Sequence, residues 1–253
     1  MVMTKINIKE SRRSLGIVGF GAFGQLIAQH LFEYFELVAF DPTPVPAQTF
    51  INLGVSMKPL NVVAQSDIVV VASPVSTFEQ VVEEIAASCR PGAIIVDVGS
   101  VKVQPSEIMI RLLPEDVGII ATHPLFGPQS ARDGIEGLKI AVCPIRGEDH
   151  WRFSAFLCKR LGLEVITTTP DEHDKDAAIV QGLTHLIAKV LSNMEPLPSR
   201  MTTKSFDLLK EAISMVQNDA PEVFEAIETA NPYAKDVRRR FFDLAAKLSS
   251  ELD

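Results

Sequence analysis

Residues 15–24 read "LGIVGFGAFG" and place Gly19, Gly21 and Gly24 in a G-x-G-x-x-G spacing between an apolar run and an amphipathic stretch. This is the feature that most restricts the fold. A strand, a glycine turn and a helix in that order form the start of a βαβ unit. Gly19 permits the tight turn, Gly21 lets a pyrophosphate approach the backbone, and Gly24 allows close helix–strand packing. The helix start adds unpaired N–H groups and a partial positive charge that suit phosphate. Asp41 closes the next apolar run, 22 residues beyond Gly19. A carboxylate there accepts from ribose hydroxyls and repels a 2′-phosphate, so NAD is expected ahead of NADP.

The rest of the first two thirds repeats this alternation. The runs "LVAFD" (37–41), "DIVVVAS" (67–73), "AIIVDVG" (93–99), "VGIIATH" (117–123), "KIAVCP" (139–144) and "LEVITTT" (163–169) read as strands. Helical stretches separate several of them, at 22–34, 76–89 and 148–161. Near-continuous apolar runs suit strands covered on both faces, so a doubly wound parallel sheet of the Rossmann type is expected over residues 1–169. From Pro170 strands give way to helical periodicity. Helices are expected at about 172–195, 203–218, 221–229 and 233–250, the first with Asp171 as N-cap. An all-helical unit of residues 170–253 is small enough to need extra burial. A homodimer through it is therefore the expected assembly.

Composition excludes some classes. The 253 residues are 47% hydrophobic and 22% charged, with a net charge of −8. That balance disfavours a nucleic-acid surface, which needs a basic face. No apolar run reaches the length of about 18 residues that a membrane span needs. The start of the chain lacks the apolar core of a signal peptide. Cys89, Cys143 and Cys158 form an odd set with no CxxC pair, which suggests neither a disulfide framework nor a metal site and fits a reduced, cytoplasmic setting.

In open parallel sheets ligands bind beyond the carboxyl ends of the strands. Three loops with polar tips leave that edge: "ASPVSTF" (72–78), "DVGSVK" (97–102) and "THPLFGPQSARDG" (122–134). They gather Ser73, Ser100, Lys102 and His123. Each residue also has a plainer reading. Ser73 can cap the following helix, Asp97 can bind backbone amides, Lys102 can be solvated, and His123 can be an ordinary loop histidine. Candidate cofactor contacts are Gly19, Phe20, Gly21, Ala22, Phe23, Gly24, Asp41, Ser73, Pro74 and Gly99. On the 172–195 helix, Ala177, Gln181, Thr184, His185 and Ala188 share one stripe. It lies opposite the apolar face of Ile179, Val180, Leu183, Leu186, Ile187, Val190, Leu191 and Met194. Small residues beside hydrogen-bonding ones suggest close approach of a ligand or a second domain. His173, among acids, reads as a surface residue.

The segments "GFGAFGQ", "DVGSVK", "HPLFGP" and "DEHDKDAAIVQGLTHLIAKVL", in this order, resemble prephenate/arogenate dehydrogenases, especially the compact plant-like arogenate branch. The resemblance covers about residues 15–195 and is looser thereafter. It implies oxidative decarboxylation of a cyclohexadienol, with hydride passing to a nicotinamide. It also implies His123 as the group at the substrate 4-hydroxyl, Ser100 beside it, and Gln181, Thr184 and His185 in the pocket. Lys102 and Arg132 join the candidate substrate contacts. "TTKSF" resembles the plant-like "TKGF" pattern with Ser205 in place of glycine, and so points to Lys204 as a carboxylate-binding cation, with Arg132 and Arg200 as alternatives. Asp133 stands where arogenate-preferring relatives carry an acid able to read the substrate ammonium. A β-hydroxyacid or imine-type dehydrogenase, or a non-catalytic NAD-binding regulator, are the competing readings.

Overall fold

The computed structural model describes residues 12–194, 196–217 and 219–252. In the first part, β1 (Ser14–Val18) runs into α1 (Ala22–Leu31) and β2 (Glu36–Phe40). A short helix α2 (Ala47–Asn52), a two-residue β3 (Ser56–Met57) and the single turn α3 (Leu60–Val63) lead to β4 (Ile68–Val71). Then come α4 (Val75–Ala86), β5 (Ile94–Asp97), α5 (Val103–Leu112), β6 (Gly118–Pro124), β7 (Lys139–Arg146), α6 (His150–Leu161) and β8 (Glu164–Thr167).

The eight strands form one sheet in the order β3-β2-β1-β4-β5-β6-β7-β8. β1 to β6 are mutually parallel. β7 is antiparallel to β6, and β8 is parallel to β7. The expected parallel sheet thus holds for β1 to β6, while β7 and β8 run the other way. No helix connects β6 to β7, and a parallel return requires a crossover that the 125–138 loop does not provide. β4 and β5 are buried at every position, as strands covered on both faces should be. Their side chains alternate between two cores. Val70 and Val96 join Ile17, Phe20 and Leu157 on one face. Val69, Val71 and Ile95 meet Phe78, Val82 and Ile85 of α4 and Met109 of α5 on the other. α2, α3 and α5 fall in stretches for which the sequence pattern predicts no regular structure.

After β8 the chain is helical: α7 (Pro170–Ser192), α8 (Lys204–Val216), α9 (Pro221–Glu225), a π turn at Ala226–Ala230, and α10 (Ala234–Leu252). Asp171 does not cap α7. Thr169 does, its hydroxyl accepting from Glu172 N, with Pro170 in the first turn. Proline has no N–H to lose there and its φ suits a helix start. Asp171 instead pairs with Lys175 and meets the Tyr233 hydroxyl. Of the α7 residues, His173, Asp174, Ala177, Ala178, Gly182, His185, Leu186 and Ala188 are buried. Ile179, Val180, Val190 and Met194 are 55%, 66%, 47% and 62% exposed. The small and polar stripe thus faces inward, while half of the apolar face is exposed and Leu183, Ile187 and Leu191 are half-buried. Among the described residues no helix is long and apolar enough to cross a membrane.

Candidate active site

The carboxyl ends of β1, β4, β5 and β6 share one edge of the sheet, because those strands are parallel and adjacent. At the end of β1, Gly19 takes a φ of +98°, a conformation that favours glycine. A Cβ on Gly19 would lie 2.6 Å from the Ala72 carbonyl oxygen, so the turn is pressed against the end of β4. A Cβ on Gly24 would lie 2.1 Å from the Gly19 carbonyl oxygen. A Cβ on Gly21 would meet nothing within 4 Å. Gly21 is the N-cap of α1 and provides no side-chain cap. Open space in front of uncapped helix N–H groups suits a diphosphate.

Asp41 adjoins this turn. Its Oδ2 accepts from Phe20 N at 2.7 Å and its Oδ1 from Thr43 N at 2.8 Å. Each oxygen keeps capacity for a further donor such as a ribose hydroxyl. Across the turn, the buried Ser73 Oγ has no partner among the described residues. Pro74, not Ser73, is the N-cap of α4, which leaves the Ser73 hydroxyl for another partner. These features fit a dinucleotide.

The β5–α5 loop departs from the sequence reading at Lys102. Its side chain is fully buried. The ammonium pairs with Asp97 and donates to the Thr122 carbonyl at 2.6 Å. It therefore has no exposed surface to offer a substrate carboxylate. Asp97 also accepts from Gly99 N at 2.8 Å, and its backbone carbonyl accepts from the Thr122 hydroxyl at 2.7 Å. Burial pushes the Asp97 carboxyl up, and the Lys102 ammonium pulls against that rise. The pair ties the end of β5 to β6. Ser100 lies half-buried between Gly99 and Val101.

His123 is buried near the end of β6. Its Nδ1 lies 2.8 Å from His173 Nε2, and His173 Nδ1 lies 2.8 Å from Asp174 Oδ1. On its other side, His123 Nε2 lies 3.3 Å from the Gln181 amide nitrogen. Burial, with His173 and the Lys102 charge, holds His123 well below the ordinary histidine range. The ring is neutral at physiological pH. His173 is thus a buried partner of His123, which corrects its reading as a surface residue. Asp174 accepts from Lys102 N at 2.8 Å and Val103 N at 2.9 Å, and its carbonyl accepts from Asn231 Nδ2 at 2.8 Å. Asp174 therefore joins the α5 start to α7 and to the turn before α10.

His185 is the opposite case. Its Nδ1 donates to the Gln181 carbonyl at 3.0 Å and its Nε2 to Asp219 at 3.2 Å. Two acceptors demand two ring protons, hence an imidazolium. Burial opposes this, but the bonds to Asp219 and Gln181 outweigh it and raise the pKa.

The structure brings together His123 and Gln181, sets Ser100 on the adjoining loop, and directs His185 to Asp219. Thr184 is half-buried, with its hydroxyl donating to the Val180 carbonyl of its own helix at 2.6 Å. Arg132 and Asp133 pair with each other at 3.3 Å on an exposed turn, 77% and 89% exposed. Lys204 is exposed at the start of α8. None of these last three has a bond to the histidines among the described residues. Asp174 and Asn231 carry no signal of their own that marks them in the sequence, and His173 reads there only as a surface residue. Extending the Ala177–Gln181–His185 stripe back one turn would have reached His173 and Asp174.

The fold and this edge define a dinucleotide-binding α/β protein with an appended helical region. Residues 35–154 match the family described as prephenate dehydrogenase, nucleotide-binding domain. A probable arogenate/prephenate dehydrogenase of Methanocaldococcus jannaschii is 30% identical over 212 residues, covering 78% of this chain and 47% of that protein. Arogenate dehydrogenase 1, chloroplastic, of Arabidopsis thaliana is 27% identical over 252 residues, covering 96% of this chain and 39% of that protein. The chain thus spans about half or less of the length of these two relatives. Among solved structures, prephenate dehydrogenase from A. aeolicus, in complex with hydroxyphenyl propionate and NAD+, superposes with a TM-score of 0.76 at 20% identity. The match covers 96% of this chain and 92% of that one. Synechocystis arogenate dehydrogenase gives 0.67 at 20% identity, covering 94% and 93%. The chain belongs to the prephenate/arogenate dehydrogenase family.

Proposed function

We propose that the chain catalyses oxidative decarboxylation of a cyclohexadienol, with arogenate giving tyrosine as the first choice and prephenate giving 4-hydroxyphenylpyruvate as the second. The observation that carries this reading is a neutral, buried His123 at the carboxyl edge of the sheet, with Nε2 on the side away from His173. His123 Nε2 takes the proton of the substrate 4-hydroxyl, its neutral ring being free to accept at physiological pH. The carbon bearing that hydroxyl loses hydride, the ring carboxylate leaves as CO2, and its bonding pair completes the aromatic ring. Bound NAD would supply the hydride acceptor.

In this proposal Gly19, Phe20, Gly21, Ala22, Phe23 and Gly24 hold the diphosphate, Asp41 the ribose, and Ser73, Pro74 and Gly99 the nicotinamide end. Asp41 favours NAD over NADP by repelling a 2′-phosphate. Ser100 and Gln181 orient the hydroxyl. Lys204 and Arg132 are the candidate cations for a substrate carboxylate, because both ring nitrogens of His185 are already engaged by Gln181 and Asp219. Arogenate is preferred because Asp133, on the loop that follows His123, offers a carboxylate to an ammonium. Asp133→Asn tests this. Arogenate efficiency should fall and prephenate efficiency rise, whereas unchanged values for both remove Asp133 from the choice.

The same proposal divides the chain at residue 169, with residues 170–253 serving substrate binding and dimerisation in a cytoplasmic enzyme. The exposed apolar residues support a second copy as partner: Val180 and Met194 on α7, Leu208 and Met215 on α8, and Leu244 and Leu248 on α10. Exposed apolar side chains on three helices of one region suit burial against a second copy. NADH or NADPH formation, measured with both substrates against both cofactors, tests the activity. Turnover with arogenate and NAD is expected, and no turnover in any of the four combinations refutes it.

A further inference from the structure

The hydrogen-bond chain behind His123 has only one consistent set of proton positions when both rings are neutral. Asp174 sits where its carboxylate can only accept, taking Lys102 N and Val103 N on its two oxygens. His173 Nδ1, 2.8 Å from Asp174 Oδ1, must then carry a proton and donate it. That leaves His173 Nε2 as an acceptor. The 2.8 Å contact to His123 Nδ1 consequently puts the proton on His123 Nδ1. His123 Nε2 is left bare, with the Gln181 amide at 3.3 Å as a donor beside it.

We infer that His173 and Asp174 are positioning residues for the proposed base: they hold His123 in the Nδ1–H form and take up the positive charge created when Nε2 accepts a proton. This rests on the reading of His123 as the base. The proton balance is simple. The substrate O–H bond breaks and a His123 Nε2–H bond forms, with the O–H electron pair staying on oxygen. The Nδ1 proton of His123 crosses the 2.8 Å bond to His173 Nε2. The charge then rests on His173, against the Asp174 carboxylate. Return of the proton along the same bonds resets the site.

The surroundings explain why a lone histidine would serve poorly here. The fully buried Lys102 ammonium lies close enough to depress His123, and burial adds to that effect. A positive charge left on His123 would face that ammonium. On His173 it is next to Asp174, with Asp97 as a second carboxylate near enough to interact. Among the described residues, the charged groups that act on the two rings are Asp97 at the end of β5, Lys102 before α5 and Asp174 on α7. Gln181 contributes only its amide.

Two variants separate holding from relaying. In His173→Gln the side-chain oxygen can still accept from His123 Nδ1 but cannot take the proton. In His173→Leu neither is possible. With substrate and NAD saturating, His173→Gln should lower kcat about ten- to a hundredfold, within the range of a general-base contribution. His173→Leu should lower it further. KM for both ligands should stay within about twofold of wild type, and the acidic limb of the kcat profile should move to lower pH. A kcat within about twofold of wild type with an unmoved profile, or a loss confined to KM, overturns the proposal. Histidine 15N NMR provides a readout independent of turnover. His123 should show the Nδ1–H form in wild type and His173→Gln, and the Nε2–H form in His173→Leu. An Nε2–H His123 in wild type overturns the proposal. If wild type turns over neither substrate, the functional reading fails while the NMR result still decides the tautomer claim.

Discussion

Replacing Lys102 by methionine should be among the most destabilising single changes in the chain. The methionine keeps most of the aliphatic stem, so the packing loss is small. The electrostatic loss is not. Asp97 is 1% exposed and would keep only the Gly99 amide of its present charge-stabilising contacts, while the Thr122 carbonyl would lose its 2.6 Å donor. Breaking a buried pair from one side typically costs about 3–5 kcal/mol. At this chain length that is a fall in melting temperature of roughly 6–20 °C. Urea unfolding of wild type, Lys102→Met, Asp97→Asn and the double variant gives the coupling directly. The double variant should recover most of the loss, because no uncompensated charge remains. The single variant should gain on wild type as pH falls. Its Asp97 has a folded pKa raised above the unfolded value, so the native state binds more protons and stability is lost as pH rises through that window. A Lys102→Met cost below about 1 kcal/mol, the size of an exposed ion pair, would refute the argument.

The two turn glycines should part company. Gly24→Ala puts a methyl against the Gly19 carbonyl and should cost about 1–3 kcal/mol of stability together with NAD affinity, whereas Gly21→Ala should leave melting unchanged and weaken only NAD binding. Wild-type NAD affinity in Gly21→Ala would remove the proposed diphosphate cradle. The buried histidines give opposed pH signatures. His123 has a lowered folded pKa, so its contribution is complete above an ordinary histidine pKa of about 6.5 and is lost below it, at up to about 1.4 kcal/mol per pH unit. His185 has a raised pKa, so its contribution is complete below that value and is lost as pH rises through its folded pKa. Unfolding free energies of His123→Asn and wild type should therefore diverge least at pH 5, and a pH-independent difference contradicts the assignment. Val180→Glu with Leu248→Glu should give a monomer by sedimentation, and a dimer surviving both places the interface elsewhere.

Much of this was legible in local sequence because the signals are local. A glycine turn between a strand and a helix is a matter of sterics within ten residues. The apolar runs of β4 and β5 record burial on both faces. The direction of β7 was not legible, because a loop of irregular structure encodes no crossover and the apolar pattern of a strand has no polarity. α5 was hidden by Pro105 and by its position straight after the "GSVK" loop. The site was readable at His123 and Gln181, whose residue types and loop or stripe positions suggest chemistry. Lys102 and His173 were misread for one shared reason. Each is polar, each sits among other polar residues, and burial of a charged group depends on a partner far away in sequence. Lys102 donates to Thr122, 20 residues away, and His173 meets His123, 50 residues away. The close-approach face of α7 was readable from its small residues, Ala177 and Ala188 being buried, although half of its apolar stripe lies open.

The claim that His123 is the base at a working dehydrogenase site is tested most directly by His123→Asn. NAD titration and arogenate turnover should be measured on the same preparation. NAD affinity should match wild type while kcat falls by about a hundredfold or more. Near-wild-type turnover in His123→Asn would contradict the account.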